Sequence, residues 1–150
     1  TTGDTTTTGD TTTGDDTTGG ETTGGDTEGD TTGDGCAVMP TIESLENDYF
    51  QMACNNKNCH DAAGAGDLVL LPGMAWENLV NRTAFNSKAK GKGKRLVEPG
   101  NAEGSYLVEK VLKPASGEGA LMPLGLIEPF DEACSIEALK TWIQNGAPAE

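Results

Sequence analysis

Cys54-Asn55-Asn56-Lys57-Asn58-Cys59-His60 is the stretch on which the fold turns. It holds the single histidine of a 150-residue chain and two of its four cysteines. Two thiols closed off by an imidazole are the residue types that carry a covalently attached haem. Each sulfur adds to one porphyrin vinyl group, and the histidine that follows binds iron from the proximal side. The common form of this arrangement has two residues between the cysteines, whereas this chain has four. The same residues have two other uses. Cys54 and Cys59 can close a local disulfide, or they can join His60 and either Cys36 or Cys134 around zinc. Neighbouring Cys and His side chains are awkward partners on one tetrahedral ion.

Upstream of Cys54 the pattern is helical. Thr41 is placed to cap a helix, with Glu43 and Glu46 near the positive end of its dipole. Ile42, Leu45, Tyr49 and Met52 recur at helical spacing and predict one apolar face, flanked by Phe50 and Ala53. A second helix is expected around 73–81, with Trp76, Leu79 and Val80 inward. A third runs from about 102 to 113, burying Leu107, Val108, Val111 and Leu112 before Pro114 stops it. A last helix is capped by Ser135, carries Ile136, Leu139, Trp142 and Ile143 as its stripe, and ends at Gly146 and Pro148. The run Leu68–Leu71 reads as extended. The fold class is therefore all-α, with long Gly- and Pro-containing connections. Seven aromatic residues make a thin core for so many short helices, and a flat apolar cofactor would give them something to pack against.

Residues 1–35 differ in kind. They are Thr, Gly, Asp and Glu throughout, with nine acidic residues and no basic one. They carry −9 of the formal net charge of −14, which leaves −5 for residues 36–150. A segment without apolar surface cannot offset the entropy of ordering it, so 1–35 is expected to be a disordered tether ahead of a domain over 36–150. The sequence shows no apolar run long enough to span a bilayer and no signal sequence. A spacer of this composition before a small cysteine-bearing domain points to an exported protein of the periplasm or cell surface, with a lipid anchor upstream as one means of attachment. Four cysteines in so small a chain agree with an oxidising compartment.

Four methionines are candidates for a second axial ligand: Met39, Met52, Met74 and Met122. Met52 belongs to the apolar face of the first helix, and Met74 opens the second. Met122 stands before Pro123 in a loop, a setting that favours extended backbone and a thioether reaching across a site.

Taken in order, a helix running into Cys…Cys-His, a Met-Pro loop and a closing aromatic-bearing helix resemble the class I cytochrome c family. The resemblance covers about 41–147. It is closer to the cytochrome c-like modules of bacterial surface proteins and lipoproteins. Their short motifs are matched by Gly66-Asp67-Leu68-Val69-Leu70, by Pro99-Gly100-Asn101 with Ser105 and Leu107, by Met122-Pro123, and by Trp142-Ile143-Gln144-Asn145-Gly146-Ala147. The resemblance implies crossing first and last helices, thioethers at Cys54 and Cys59, His60 and Met122 as axial iron ligands, one haem c, and one-electron transfer without enzymatic turnover. With thioethers at those two positions, Cys36 and Cys134 remain as a disulfide pair or as two free thiols. A disulfide closing so long a loop stabilises a fold by roughly 4–5 kcal/mol in the chain-entropy picture. The alternative reading keeps the fold without haem, as a structural or interaction module stapled by Cys54–Cys59 and Cys36–Cys134.

Lys88, Lys90, Lys92, Lys94 and Arg95 form the basic cluster of an acidic chain. They are a candidate docking patch for a redox partner protein, or else a solvated loop. Nucleic acid is excluded as a partner by the overall charge and by the lack of aromatic residues among these lysines. The chain offers no second histidine as a base, no nucleophile motif and no phosphate-binding loop.

Overall fold

Helices with no β-strand make up the described part of the chain, which in this computed structural model comprises residues 37–62, 64–125 and 132–150. The leader expected over 1–35, and Cys36, lie outside the described residues. Two isolated bridges, Val80 with Val97 and Thr83 with Arg95, are the strand-like pairings found among them. The all-α expectation is met.

The first helix, α1, opens with one α-turn over Ile42–Ser44 and continues with i→i+5 bonding over Leu45–Cys54. Thr41 caps it as expected: its backbone is extended, and its hydroxyl accepts from Ser44 N at 3.3 Å. The wider turn changes which residues face inward. Leu45, Tyr49 and Phe50 are fully buried and Ala53 nearly so, while Met52 is 64% exposed. A 3.6-residue period puts Met52 beneath Leu45 and Tyr49; with five-residue spacing, Leu45 instead aligns with Phe50 and Met52 rotates to the surface. Glu46, expected only to favour the helix dipole, is buried. Its carboxylate accepts from Gly73 N at 2.7 Å and Ala75 N at 2.8 Å. It thereby ties the segment before the next helix to α1.

That next helix, α2, spans Ala75–Leu79 and is shorter than 73–81. It ends where Val80 turns extended and Asn81 adopts φ 57°, its N–H donating to Val97 O. Leu79 is buried as expected. Trp76 is 36% exposed, with its indole N–H donating to Ala147 O at 2.9 Å. An unexpected helix, α3, covers Ser87–Gly91, capped by Asn86, whose side-chain oxygen accepts from Lys88 N and Ala89 N.

Helix α4 occupies Tyr106–Leu112 and buries Tyr106, Leu107, Val108 and Val111. Residues 102–104, expected inside it, instead form a turn. That turn is closed by Ser105, whose hydroxyl accepts from Glu98 N and donates to Asn101 O. The N–H groups of Tyr106 and Leu107 find the carbonyls of Arg95 and Leu96, so the start of α4 is satisfied by neighbouring chain.

The last helix, α5, begins as a wide turn over Glu132–Ile136 and continues over Glu137–Gln144. Its predicted stripe of Ile136, Leu139, Trp142 and Ile143 is fully buried. Ser135 lies within the wide turn rather than capping it. Gly146, at φ 97°, lets the chain leave the helix, and Ala147 N then donates to Trp142 O at 2.9 Å. One hydrophobic cluster contains the inward faces of α1, α2, α4 and α5 together with Leu68, Leu70, Leu96 and Val97. The opening turn of α5 packs on α4. No helix among the described residues is long and apolar enough to cross a membrane.

Candidate functional site

A cavity of about 460 Å³ is walled by Cys54, Cys59, His60 and Met122, together with Leu68, Leu70, Leu96, Leu107 and Val111. These come from five places: the end of α1 and the turn behind it, the extended run after it, the segment between α3 and α4, α4 itself, and the loop that follows α4. The volume lies within the usual range of cofactor sites, roughly 300–1,000 Å³.

Cys54 ends α1, and the four intervening residues form a turn that brings Cys59 back to the same wall. His60 N donates to Cys54 O at 3.1 Å and Cys59 N to Asn56 O at 2.8 Å. Asn58 supplies the left-handed residue of this turn, at φ 69°, a conformation asparagine tolerates better than most side chains. Both cysteines are free thiols. Burial, and then the neighbouring Cys59, push the Cys54 thiol up to about 12, so it stays neutral at physiological pH. Among the described residues there is no group of three or more His, Cys, Asp or Glu that could hold a metal ion.

His60 is held from two sides. Its Nδ1 lies 3.2 Å from Leu68 O, and its own carbonyl accepts from Leu70 N at 2.8 Å. A carbonyl accepts but does not donate, so Nδ1 is the donor, and in the neutral ring Nε2 is the nitrogen whose lone pair is open to a metal. The run Leu68–Leu71, noticed in the sequence for its apolar character, thus orients the imidazole through its backbone.

Of the four methionines, Met122 alone lines the cavity. Met39, Met52 and Met74 are 44%, 64% and 44% exposed. Met122 N donates to Lys110 O at 2.8 Å, and Lys110 Nζ donates to Ala120 O, so α4 grips the methionine loop from both backbone and side chain. The Met122–Pro123 peptide is cis. The residue types present therefore fit a haem: two free thiols, one imidazole with Nε2 available, one thioether, and a largely aliphatic wall.

Cys134 is disulfide-bonded. Cys36, expected as its partner, lies outside the described residues.

The basic cluster is divided. Lys92 Nζ lies 2.6 Å and Lys94 Nζ 2.8 Å from the carboxylate of Glu118, whose side chain is fully buried, and Lys94 also pairs with Glu109 at 2.5 Å. Hydrogen bonds from Lys92 and Lys94 hold the Glu118 carboxyl below its ordinary range. Burial alone would lower Lys94, but its bonds to Glu109 and Glu118 outweigh that and raise it. Arg95 donates to Asn81 Oδ1 at 2.6 Å. Lys88 and Lys90 stay exposed. The basic cluster thus contains an ion-pair network beside the cavity, centred on the buried Glu118 carboxylate, with Lys94 partly buried and Lys92 reaching in from the surface. Glu118 sits between two glycines and gives no sequence signal of its burial. The Asn86 cap, by contrast, was there to be read in Asn-Ser before Lys-Ala-Lys.

No family model, curated protein or solved structure matches this chain.

Proposed function

We propose that the chain is a mono-haem c-type cytochrome with a cytochrome c-like fold, a one-electron carrier of the cell envelope. The observation that carries this reading is the meeting of Cys54, Cys59, His60 and Met122 on one aliphatic cavity. Bound there, haem supplies a ferrous–ferric couple whose potential His/Met ligation raises. The chain's own part is positional. Cys54 and Cys59 present thiols for two thioether bonds, Leu68 O fixes the His60 tautomer, and Lys110 holds the loop bearing Met122. The lining is mostly apolar, and with His60 and Met122 both engaged as ligands the group would have no position left for a substrate, which agrees with a carrier and not an enzyme. The disulfide at Cys134 and the acidic leader support an exported location. Exposed Lys88, Lys90 and Arg95 are the part of the basic cluster left to attract an acidic redox partner. The haem-free, stapled module would need Cys54 joined to Cys59, and their free state favours the haem reading.

The test is expression through a bacterial cytochrome c maturation pathway, read by absorption spectrum and intact mass. One covalent haem with a sharp Soret band is expected. Met122→Ala should remove a sulfur-to-iron band and lower the potential, and His60→Ala should abolish low-spin ligation. A colourless wild-type protein overturns the proposal.

A further inference from the structure

Asn86 and Lys110 come from different elements and meet on the cavity wall at Gly119. A Cβ built on Gly119 would lie 2.9 Å from Lys110 Nζ, so glycine leaves room for the ammonium, and 3.9 Å from Asn86 Nδ2, an ordinary contact distance that places both groups around this one point. The Asn86 amide is not free to turn. Its Oδ1 is committed to Lys88 N at 3.0 Å and Ala89 N at 3.2 Å, which directs the NH2 group away from α3. Lys110 spends one of its three donors on Ala120 O and has two more. Among the described residues it makes no salt bridge, whereas Lys92 and Lys94 each have a carboxylate. Burial lowers its pKa. Glu118, which also lines the cavity, is occupied by Lys92 and Lys94 and does not serve Lys110. The result is a positive charge and a fixed neutral donor, side by side, on the wall of a mostly aliphatic cavity.

We propose that Asn86 Nδ2 and Lys110 Nζ form a subsite for a carboxylate carried on the apolar ligand of this cavity. The proposal rests on the haem reading and adds to it, because a haem bears two propionate carboxylates. A carboxylate placed at this point accepts one hydrogen bond from the amide and one charge-assisted bond from the ammonium. It also supplies a counter-charge that Lys110 finds on no described residue. The cavity wall then carries a polar point at Asn86 and Gly119 in addition to the thiol-bearing turn, and a carboxylate held there restrains how a porphyrin sits.

The test uses the full chain with the Cys134 disulfide intact and Cys54 and Cys59 as free thiols, titrated with ferric protoporphyrin IX and, separately, with its dimethyl ester, which has the same ring and no carboxylate charge. Binding is read from the Soret band and from quenching of Trp142 and Trp76. Wild type should bind the diacid about tenfold or more tightly than the diester, the range expected for charged hydrogen bonds. Asn86→Asp keeps the oxygen that caps α3 and replaces the amide donor with a negative oxygen. It should bring the ratio close to one, and Lys110→Met should do the same. Because each ratio compares two ligands on one protein, any effect of Lys110→Met on the methionine loop cancels. Equal affinities for the two porphyrins in wild type, or a wild-type ratio in both variants, overturn the subsite and leave the haem cavity standing. A wild-type chain that binds neither porphyrin overturns both.

Discussion

Removing the Glu46 carboxylate should loosen the segment that orients His60. Glu46 is 8% exposed, and each of its oxygens takes one backbone N–H, Gly73 at 2.7 Å and Ala75 at 2.8 Å. These bonds bridge α1 to the chain just past the Leu68–Leu71 run whose backbone holds the imidazole. A hydrogen bond to a charged group contributes about 1.5–3 kcal/mol. Glu46→Gln keeps one acceptor and turns a donor toward the other N–H, so it should cost about 1.5–3 kcal/mol. Glu46→Ala removes both acceptors, and water can replace only one of them. Gly73 is exposed, but Ala75 is fully buried, so its N–H is left unpaired. The net loss for the alanine variant should be about 2–4 kcal/mol. Urea unfolding followed by circular dichroism and by Trp142 fluorescence measures both. With a slope of about 2 kcal/mol per molar, the glutamine variant's midpoint should fall by about 1 M. Midpoints within about 0.2 M of wild type for both variants would refute the argument, because the bonds would then contribute nothing net.

Three further outcomes follow from other positions. Glu118 has its pKa held below the ordinary value of 4.5, so the stability it adds is present above that pH and is lost as pH falls through the lower folded value. Glu118→Gln should flatten the loss of stability between neutral pH and strong acid, and an unchanged acid limb would contradict the Lys92–Glu118–Lys94 network. Leu45→Ala, at a fully buried position, should cost about 2–5 kcal/mol, while Met52→Gln, at a 64% exposed position, should stay within about 0.5 kcal/mol. The opposite order in a denaturation series would restore the ordinary α-helical register for α1. Alkylation of Cys54 in the unligated, folded chain should keep accelerating past pH 10, since its thiol is pushed up to about 12. A plateau near pH 9 would show that the thiol is not buried as described.

Much was legible before any coordinates, for reasons that are local. Thr41 caps α1 because a hydroxyl there can reach Ser44 N, and the apolar period of Ile136, Leu139, Trp142 and Ile143 predicts a face that is fully buried. Met122 was distinguished from three other methionines by a loop and a proline, and it is the one that meets the cavity. The all-α class, the α5 stripe and the chain order of the site residues are properties of the sequence itself. The tertiary structure decided what depends on partners distant along the chain. Met52 left the core because α1 is wound with a five-residue bond, a choice no hydrophobic period encodes. Lys94 turned inward because Glu109 and Glu118 were there to neutralise it, and Glu46 became a bridge because Gly73 and Ala75 came within 2.8 Å. A charged side chain reads as surface in a sequence. Whether it is buried is settled only when folding brings it a partner that replaces water.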